Sequence, residues 1–405
     1  MTVFRPGTGA AHGVLFIGRP GIRGTNHGCG HNVVPSNLPS GNREEHSSVE
    51  MGLCTSSARL VDLCRSEIAD INEVHKLIKG GANVNYVLKR KEKIPWEKSR
   101  KWNISTTALC SAVQMGRIDI VSALLDAGAN PIQSDEGDIA SRTPLHHAVD
   151  FPDIVSLLLE RSTGHFSLSL VHTGDGGFYG LKPLHSACEY VTRDNVANRI
   201  KTIGLLIKSG CEVDSLTQSG LYFYCNISAL MVAVEQVHPI CCADHGVCSN
   251  CSSCHCTQII QCLLDYGADV NLATKGGNTA LHTRSGRTTP AVAQLLIDKG
   301  VDVSRRNSEG KTPVFFTREE EVLKILLANG ADINARDDEG RTALFDAISS
   351  KKYAPEWWRV LLHHGCDPNI CDDKGVNPIE LAVTENHREV AHEMSAPHND
   401  NNNSI

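Results

Sequence analysis

Apolar residues along most of this chain fall at helical spacing, in short segments that come in pairs. The stretch from Gly267 to Gly300 shows the arrangement: a Gly-Ala-Asp-Val-Asn turn, a polar loop, a short Thr-Ala-Leu-His segment from Thr279, and apolar positions over 292–297. Apolar residues three and four positions apart lie on one face of a helix. The stretch therefore predicts two short antiparallel helices after a projecting loop.

The residues at the ends of these helices are typical of helix caps. Thr279 can accept a hydrogen bond from a backbone N–H of the first turn, and Pro144 after Thr143 suits the first helical position. The histidine three positions after the threonine, His282, can bond back to it. Gly300 is typical of a helix that ends in the left-handed conformation.

The same unit recurs along the chain, and Gly267 and Gly300 lie 33 positions apart, which is the period of ankyrin repeats. The positions that begin a first helix in this way are Thr107, Thr143, Lys182, Ser228, Thr279, Thr312, Thr342 and Asn377. Glycines in the terminating position are Gly81, Gly128, Gly210, Gly267, Gly300, Gly330 and Gly365. With these motifs the chain resembles the ankyrin-repeat family.

The resemblance implies an all-α fold, an ankyrin-repeat solenoid of stacked helix-turn-helix units with finger loops. We expect about nine repeats over 56–394, a disordered leader over 1–55 and a disordered tail over 395–405. Two insertions, 86–105 and 238–256, interrupt the repeats. The family mostly binds other proteins on the concave surface of fingers and inner helices, so the resemblance implies a protein partner of unknown identity.

Composition narrows the expected class further. The net charge of -7 argues against a general nucleic-acid binder, and no run approaches the ~18 apolar residues of a membrane span. Sixteen cysteines without a signal peptide favour a reducing compartment. We expect a monomer in the cytoplasm, with the nucleus as an alternative. No nucleotide-binding, serine-hydrolase, metalloprotease or kinase motif occurs, so we expect a non-enzymatic scaffold or adaptor that requires no cofactor.

The first insertion, 86–105, is strongly basic. It holds seven basic and two acidic residues and two of the four tryptophans. Because tryptophan and arginine are common anchors of interfaces, the candidate partner-binding residues are Lys89, Arg90, Trp96, Arg100 and Trp102. The alternatives are a solvated hairpin whose tryptophans pack on the next finger, or a nuclear-import or nucleic-acid patch.

A second candidate contact is the aromatic finger around Tyr222 and Phe223. These rings are either buried under the neighbouring finger or exposed as a contact patch.

The second insertion is rich in cysteine. Four of these cysteines have the close spacing of metal ligands: Cys248, Cys251, Cys254 and Cys256. Zinc prefers four such ligands in a tetrahedron and could order a loop that has no apolar core. The alternatives are a disordered insertion, or one that senses redox state or captures heavy metals.

Three short motifs suggest further hypotheses. Leu60 to Ile68 resembles the box by which some ankyrin-family ubiquitin-ligase adaptors bind elongin C, although it also fits the first repeat helix. Met51 begins a myristoylation pattern, provided that translation starts there. Asn271 and Asn334 match the family's asparagine-hydroxylation sites.

Overall fold

The computed structural model describes residues 55–94, 97–135, 142–162, 181–217, 226–236, 255–282, 288–349 and 356–395. By backbone contacts the chain divides into two compact units, Met1–Pro144 (unit 1) and Leu145–Ile405 (unit 2). Within the described ranges, no helix has both the length and the apolar character needed to cross a bilayer.

Short helices dominate both units. The α-helices are α1 (55–64), α2 (Ile71–Lys79), α3 (Ala108–Gln114), α4 (Ile118–Asp126), α5 (Pro144–His147), α6 (Pro152–Arg161), α7 (Pro183–Cys188), α8 (Val196–Lys208), α9 (Ala229–Glu235), α10 (His255–Asp265), α11 (Pro290–Asp298), α12 (Glu320–Ala328), α13 (Ala343–Ser349), α14 (Trp357–His363), α15 (Pro378–Thr384) and α16 (Arg388–Ser395). Two 3₁₀ turns, Ala148–Asp150 and Pro313–Phe315, complete the set of described helices.

Unit 1 holds two helix pairs, α1–α2 and α3–α4, with a β-hairpin between them. The hairpin consists of β1 (Leu88–Ile94) and β2 (Glu97–Thr106), which pair antiparallel. Thr107, directly after β2, accepts a hydrogen bond from the Cys110 amide at 3.1 Å and so begins α3. The first insertion is therefore a two-stranded sheet whose end leads straight into a capped repeat helix.

Unit 2 repeats the helix pair from α5–α6 to α15–α16. In the sixth repeat of the chain, a turn at 280–281 takes the place of a first helix before α11, and in the seventh the 3₁₀ turn Pro313–Phe315 precedes α12. Each second helix buries an aliphatic stripe against its neighbours, as Ile203 in α8 and Ile259 in α10 show. The predicted architecture of stacked helix-turn-helix units is confirmed.

The predicted glycine caps are confirmed as well. All seven have φ between 83° and 98°, the left-handed region that favours glycine. A Cβ added at Gly300 would meet nothing within 4 Å. Backbone conformation, rather than crowding, therefore selects glycine at this cap.

The structure argues against the elongin-binding interpretation of Leu60 to Ile68. Leu60 and Cys64 are fully buried in α1, whereas Ile68 lies beyond the end of that helix and is 92% exposed. The three positions do not form one exposed helical face, because α1 packs its apolar side into the core of unit 1. Leu60 to Cys64 therefore belong to a repeat helix, which ends before Ile68.

Candidate partner-binding surfaces

The short finger loops of unit 2 are held together internally by one polar residue each. In the loop 307–311, the Asn307 Oδ1 accepts the amides of Glu309 and Lys311, both at 2.9 Å. Asp337 and Asp372 do the same in the next two fingers. Since these side-chain oxygens accept backbone amides of the loop, each loop is a tight turn stabilised by one Asn or Asp.

Successive fingers in unit 2 are joined by backbone hydrogen bonds. The amide of Asp338 donates to the Glu309 carbonyl at 3.0 Å, and the amide of Asp373 donates to the Glu339 carbonyl at 3.0 Å. The amide of Ser308 donates likewise to the preceding finger, to Gly276, at 2.9 Å. These backbone groups are used between repeats and are not available to a partner.

A second set of bonds joins the fingers through asparagine side chains. The Asn271 Nδ2 donates to the Gly300 carbonyl at 2.9 Å, and its Oδ1 accepts the Asp302 amide at 2.8 Å. Asn334 makes the equivalent pair with Gly365 and Asp367. These two residues, which match the family's hydroxylation pattern, therefore bridge each finger to the next.

Several charged groups of these fingers are also engaged internally. Arg306 lies 2.9 Å from the Asp338 carboxylate and donates to the Arg336 carbonyl at 2.6 Å. Asp337 is 5% exposed and lies 3.1 Å from Arg341. This acid therefore stabilises its own loop and is unsuited to contact a partner.

His185 and His282, at two of the first-helix starts, link neighbouring repeats, as His146 does through the Leu181 carbonyl at 2.9 Å. The His185 Nδ1 accepts the Lys182 amide at 3.2 Å, and the His282 Nδ1 accepts the Thr279 amide at 3.1 Å. The proton is therefore on Nε2, which donates to Ile227 from His185 (3.1 Å) and to Arg305 from His282 (3.1 Å). The predicted bond back to the cap position is confirmed, and the bond to the next finger is new.

Burial keeps these histidines neutral. Loss of water lowers the pKa of the His185 imidazole to about 4 and lowers that of His282 below its usual value. Both rings lie in the core, at 0% and 2% exposure. Their role is structural, since a neutral ring is needed to accept a bond at Nδ1.

The hairpin of unit 1 offers a different surface. Leu88 is buried at its base, and the Arg90 guanidinium pairs with the Asp62 carboxylate of α1. Lys89 and Lys91 alternate with these residues, so they lie on the opposite face of the ribbon, and both are exposed. The hairpin therefore presents lysines on the face that is turned away from α1.

The remaining predicted contact residues lie partly outside the described chain. The backbone of Arg100 and Trp102 belongs to β2, with Trp102 in register with Glu92. Trp96, Tyr222 and Phe223 lie outside the described residues. Their contribution to binding stays a prediction.

The cysteine cluster is described only at its end. Cys248, Cys251 and Cys254 lie outside the described residues, whereas Cys256 falls on the first turn of α10. Cys256 is 4% exposed, and its Sγ lies 3.9 Å from the Gln236 carbonyl, at the base of the insertion. The zinc site stays a prediction. Cys262, further along α10, is half-buried.

Helix-turn-helix pairs ended by left-handed glycines, with finger loops joined side by side, define a class of repeat proteins. A family model described as ankyrin repeats (3 copies) matches residues 64–167, 247–337 and 316–404. These matches cover more than half of the chain. The chain therefore belongs to the ankyrin-repeat family.

Individual relatives agree with the family assignment. The chain is 28% identical over 225 residues to the B-cell lymphoma 3 protein homolog of Mus musculus, covering 55% of this chain and 42% of that protein. It is 26% identical over 209 residues to the human SH3 and multiple ankyrin repeat domains protein 2, covering 50% of this chain and 11% of that one. The matches thus span less than half the length of these relatives.

Among solved structures, the ankyrin repeat domain of Bcl-3, a member of the IkappaB protein family, matches 68% of this chain and 97% of that chain. The TM-score is 0.45 at 24% identity.

Proposed function

We propose that this chain is a non-enzymatic adaptor, and that the basic hairpin of unit 1 binds an acidic segment of a partner protein. Ankyrin repeats are protein-interaction modules, which supports the general class. The hairpin supports the proposed place of binding, because it is an insertion between two helix pairs and not a part of the repeated unit. In this proposal the chain works as a monomer in the cytoplasm or nucleus, without a cofactor.

The observation that carries the proposal is the exposure of Lys89 and Lys91 on the outer face of β1. Among the described residues neither ammonium group has a salt-bridge partner, whereas Arg90 between them is paired with Asp62. Seven basic residues against two acidic ones over 86–105 give this loop a local charge of +5 in a chain of net charge -7. An acidic segment would be steered to it by long-range attraction.

The backbone of the hairpin explains how such a loop can bind without disturbing the repeats. Its strands pair with each other, from Leu88 with Thr106 to Ile94 with Glu97. The exposed lysines are therefore held in place by the hairpin itself, and replacing them leaves the repeat contacts intact.

The test is proximity labelling with the full chain in cells, followed by mass spectrometry. The variant Lys89→Glu/Lys91→Glu reverses two charges on the hairpin. The matched control, Lys76→Glu/Lys79→Glu, makes the same charge change on α2, where both lysines are also exposed.

We expect a set of proteins with acidic segments that the wild type and the control label equally and the hairpin variant loses. The proposal is wrong if the hairpin variant labels the same proteins as the wild type. Equal loss in both variants would also contradict it, because the effect would then be one of net charge alone.

A further inference from the structure

A groove runs between α10 and α11 in unit 2, on the second helices of the repeats and away from the finger tips. Its volume is about 1170 Å³, and Ile200 of α8 and Ile325 of α12 line its two sides. This volume exceeds that of most small-molecule pockets, which hold roughly 300–1,000 Å³. The space suits several side chains of a polypeptide.

Two facing helical stripes form the groove. The lining positions are Gln258, Gln261, Cys262 and Asp265 on α10 and Ala291, Gln294, Leu295 and Asp298 on α11. On each helix these positions follow spacings of three and four, so each stripe runs along a single face. A straight segment could therefore lie along the groove and contact both stripes.

The middle of the groove is apolar and partly open. Ile200, Cys262, Leu295 and Ile325 are all half-buried. Tyr266 is 39% exposed, and its hydroxyl lies over Gly204 of α8, where an added Cβ would come within 2.7 Å of it. The missing side chain at position 204 gives the Tyr266 hydroxyl room against α8, and the ring lies at one end of the groove.

Two of the polar positions that line the groove, Asp265 and Asp298, are acidic. Asp265 accepts a hydrogen bond from the Gln261 Nε2 at 2.6 Å, and Asp298 accepts one from the Gln294 Nε2 at 2.7 Å. None of the described residues that line the groove is basic, and Lys299, at 3.5 Å from Asp265, lies outside the lining. Two oriented carboxylates therefore sit along an apolar floor.

We propose that this groove binds an amphipathic helix of a partner protein, with an apolar face against the floor and lysine or arginine beside Asp265 and Asp298. An apolar helix face in a hydrophobic groove is a common mode of peptide recognition. The two carboxylates select the charge of the incoming helix. The groove uses none of the hairpin residues, so the proposed function and this one can fail separately.

Cys262 provides a probe inside the groove. The full chain is treated briefly with iodoacetamide, with and without a synthetic leucine–lysine peptide of about 18 residues, about five helical turns. Mass spectrometry then reads the alkylation of each cysteine. Cys371, which is exposed on the last finger, is the internal control. Because burial raises the pKa of the Cys262 thiol to about 11, labelling is done at about pH 9, where thiolate is more abundant.

With the peptide at about ten times its dissociation constant, we expect labelling of Cys262 to slow by about tenfold, with Cys371 unchanged. A leucine–glutamate peptide should protect neither. Protection of Cys371 alone, of both cysteines equally, or of neither would overturn the proposal.

Charge variants complete the test. Asp265→Lys/Asp298→Lys should weaken binding of the leucine–lysine peptide by about tenfold. The neutral Asp265→Asn/Asp298→Asn should weaken it by about threefold. Asp194→Lys/Glu389→Lys makes the first variant's charge change at exposed positions outside the groove and should change binding by about twofold at most. Equal weakening in the two lysine variants would contradict a site in the groove.

Discussion

The basic hairpin of unit 1 and the short fingers of unit 2 occupy equivalent places in the repeat but satisfy their backbones differently. The hairpin pairs β1 with β2. Each short finger pairs with the finger of the next repeat, as the Asp338 amide does with the Glu309 carbonyl. A self-paired loop can vary in length and charge, whereas a finger bonded to its neighbours is constrained by them.

The difference indicates that partner binding and the stacking of repeats depend on different loops. In unit 2 a change in one repeat should affect the finger of the next repeat. Side chains such as Asn271 and His282 donate hydrogen bonds to that finger. In unit 1 the outer face of the hairpin carries exposed lysines. We expect stability to depend on the short fingers and partner choice on the hairpin.

The largest effect is expected at Gly310. A Cβ there would lie 2.2 Å from the Asp338 Oδ1 and 2.6 Å from its backbone nitrogen, so Gly310→Ala must push the two fingers apart. Left-handed strain, together with loss of the hydrogen bond from the Asp338 amide to the Glu309 carbonyl, should destabilise unit 2 by about 3 kcal/mol.

The matched control is Gly375→Ala, where φ is also positive (80°) and nothing lies within 4 Å of an added Cβ. It should cost about 1 kcal/mol, measured by urea unfolding. Equal losses would show that the fingers are not closely joined.

The second expected effect is a loss of stability in acid. Because the pKa of His185 falls to about 4 in the folded chain, the unfolded chain binds a proton that the folded chain cannot. The contribution of His185 to stability is fully present above about pH 6.5 and should fall below it by up to about 1.4 kcal/mol per pH unit, or about 2–3 kcal/mol by pH 4.5.

Unfolding followed between pH 7 and 4.5 should show this slope, and His185→Gln should reduce it. The control is the same substitution at an exposed histidine of unit 1, His75→Gln, measured in the same way. An unchanged slope in the variant would mean that this ring does not carry the effect.

A third test concerns the asparagine bridges. Asn271→Ala removes two bonds to the following finger and should cost about 1–2 kcal/mol. Asn369 has the same place in the last finger, but the described hydrogen bond of its side chain is to Asp367 of its own turn. Asn369→Ala should therefore cost less than Asn271→Ala in the same unfolding experiment. A larger loss at Asn369 would contradict the bridging role.

The cysteine insertion is expected to influence the repeats less. If zinc orders it, purified protein should contain about one zinc per chain, and Cys251→Ser/Cys254→Ser should lose it, as measured by elemental analysis. Cys371→Ser, at an exposed cysteine of a finger, is the control and should keep the metal. Folded protein without zinc would remove the hypothesis.

The smallest effect on stability is expected in the hairpin. Lys89→Glu/Lys91→Glu alters two exposed side chains and leaves the backbone pairing of β1 with β2 in place, so it should change the free energy of unfolding by about 0.5 kcal/mol or less. A loss of several times that size would show that these lysines serve the fold.

Local signals predicted much of this fold. The glycine caps, the first-helix starts and the bond of His282 to Thr279 all depend on residues within a few positions, and the sequence shows them directly. Features made by neighbours in space were missed. The burial of Asp337, the bridges from Asn271 and the groove between α10 and α11 depend on where the next repeat lies, which no single segment encodes.

Hydrogen exchange of the full chain tests the contrast between hairpin and fingers most directly. We predict that the amides of Asp338 and Asp373 exchange only when unit 2 unfolds. The amides of the strand pair should exchange by a local opening that leaves α3 and α4 protected. Rapid exchange at the two aspartates, or hairpin amides as protected as those of α3 and α4, would contradict the account.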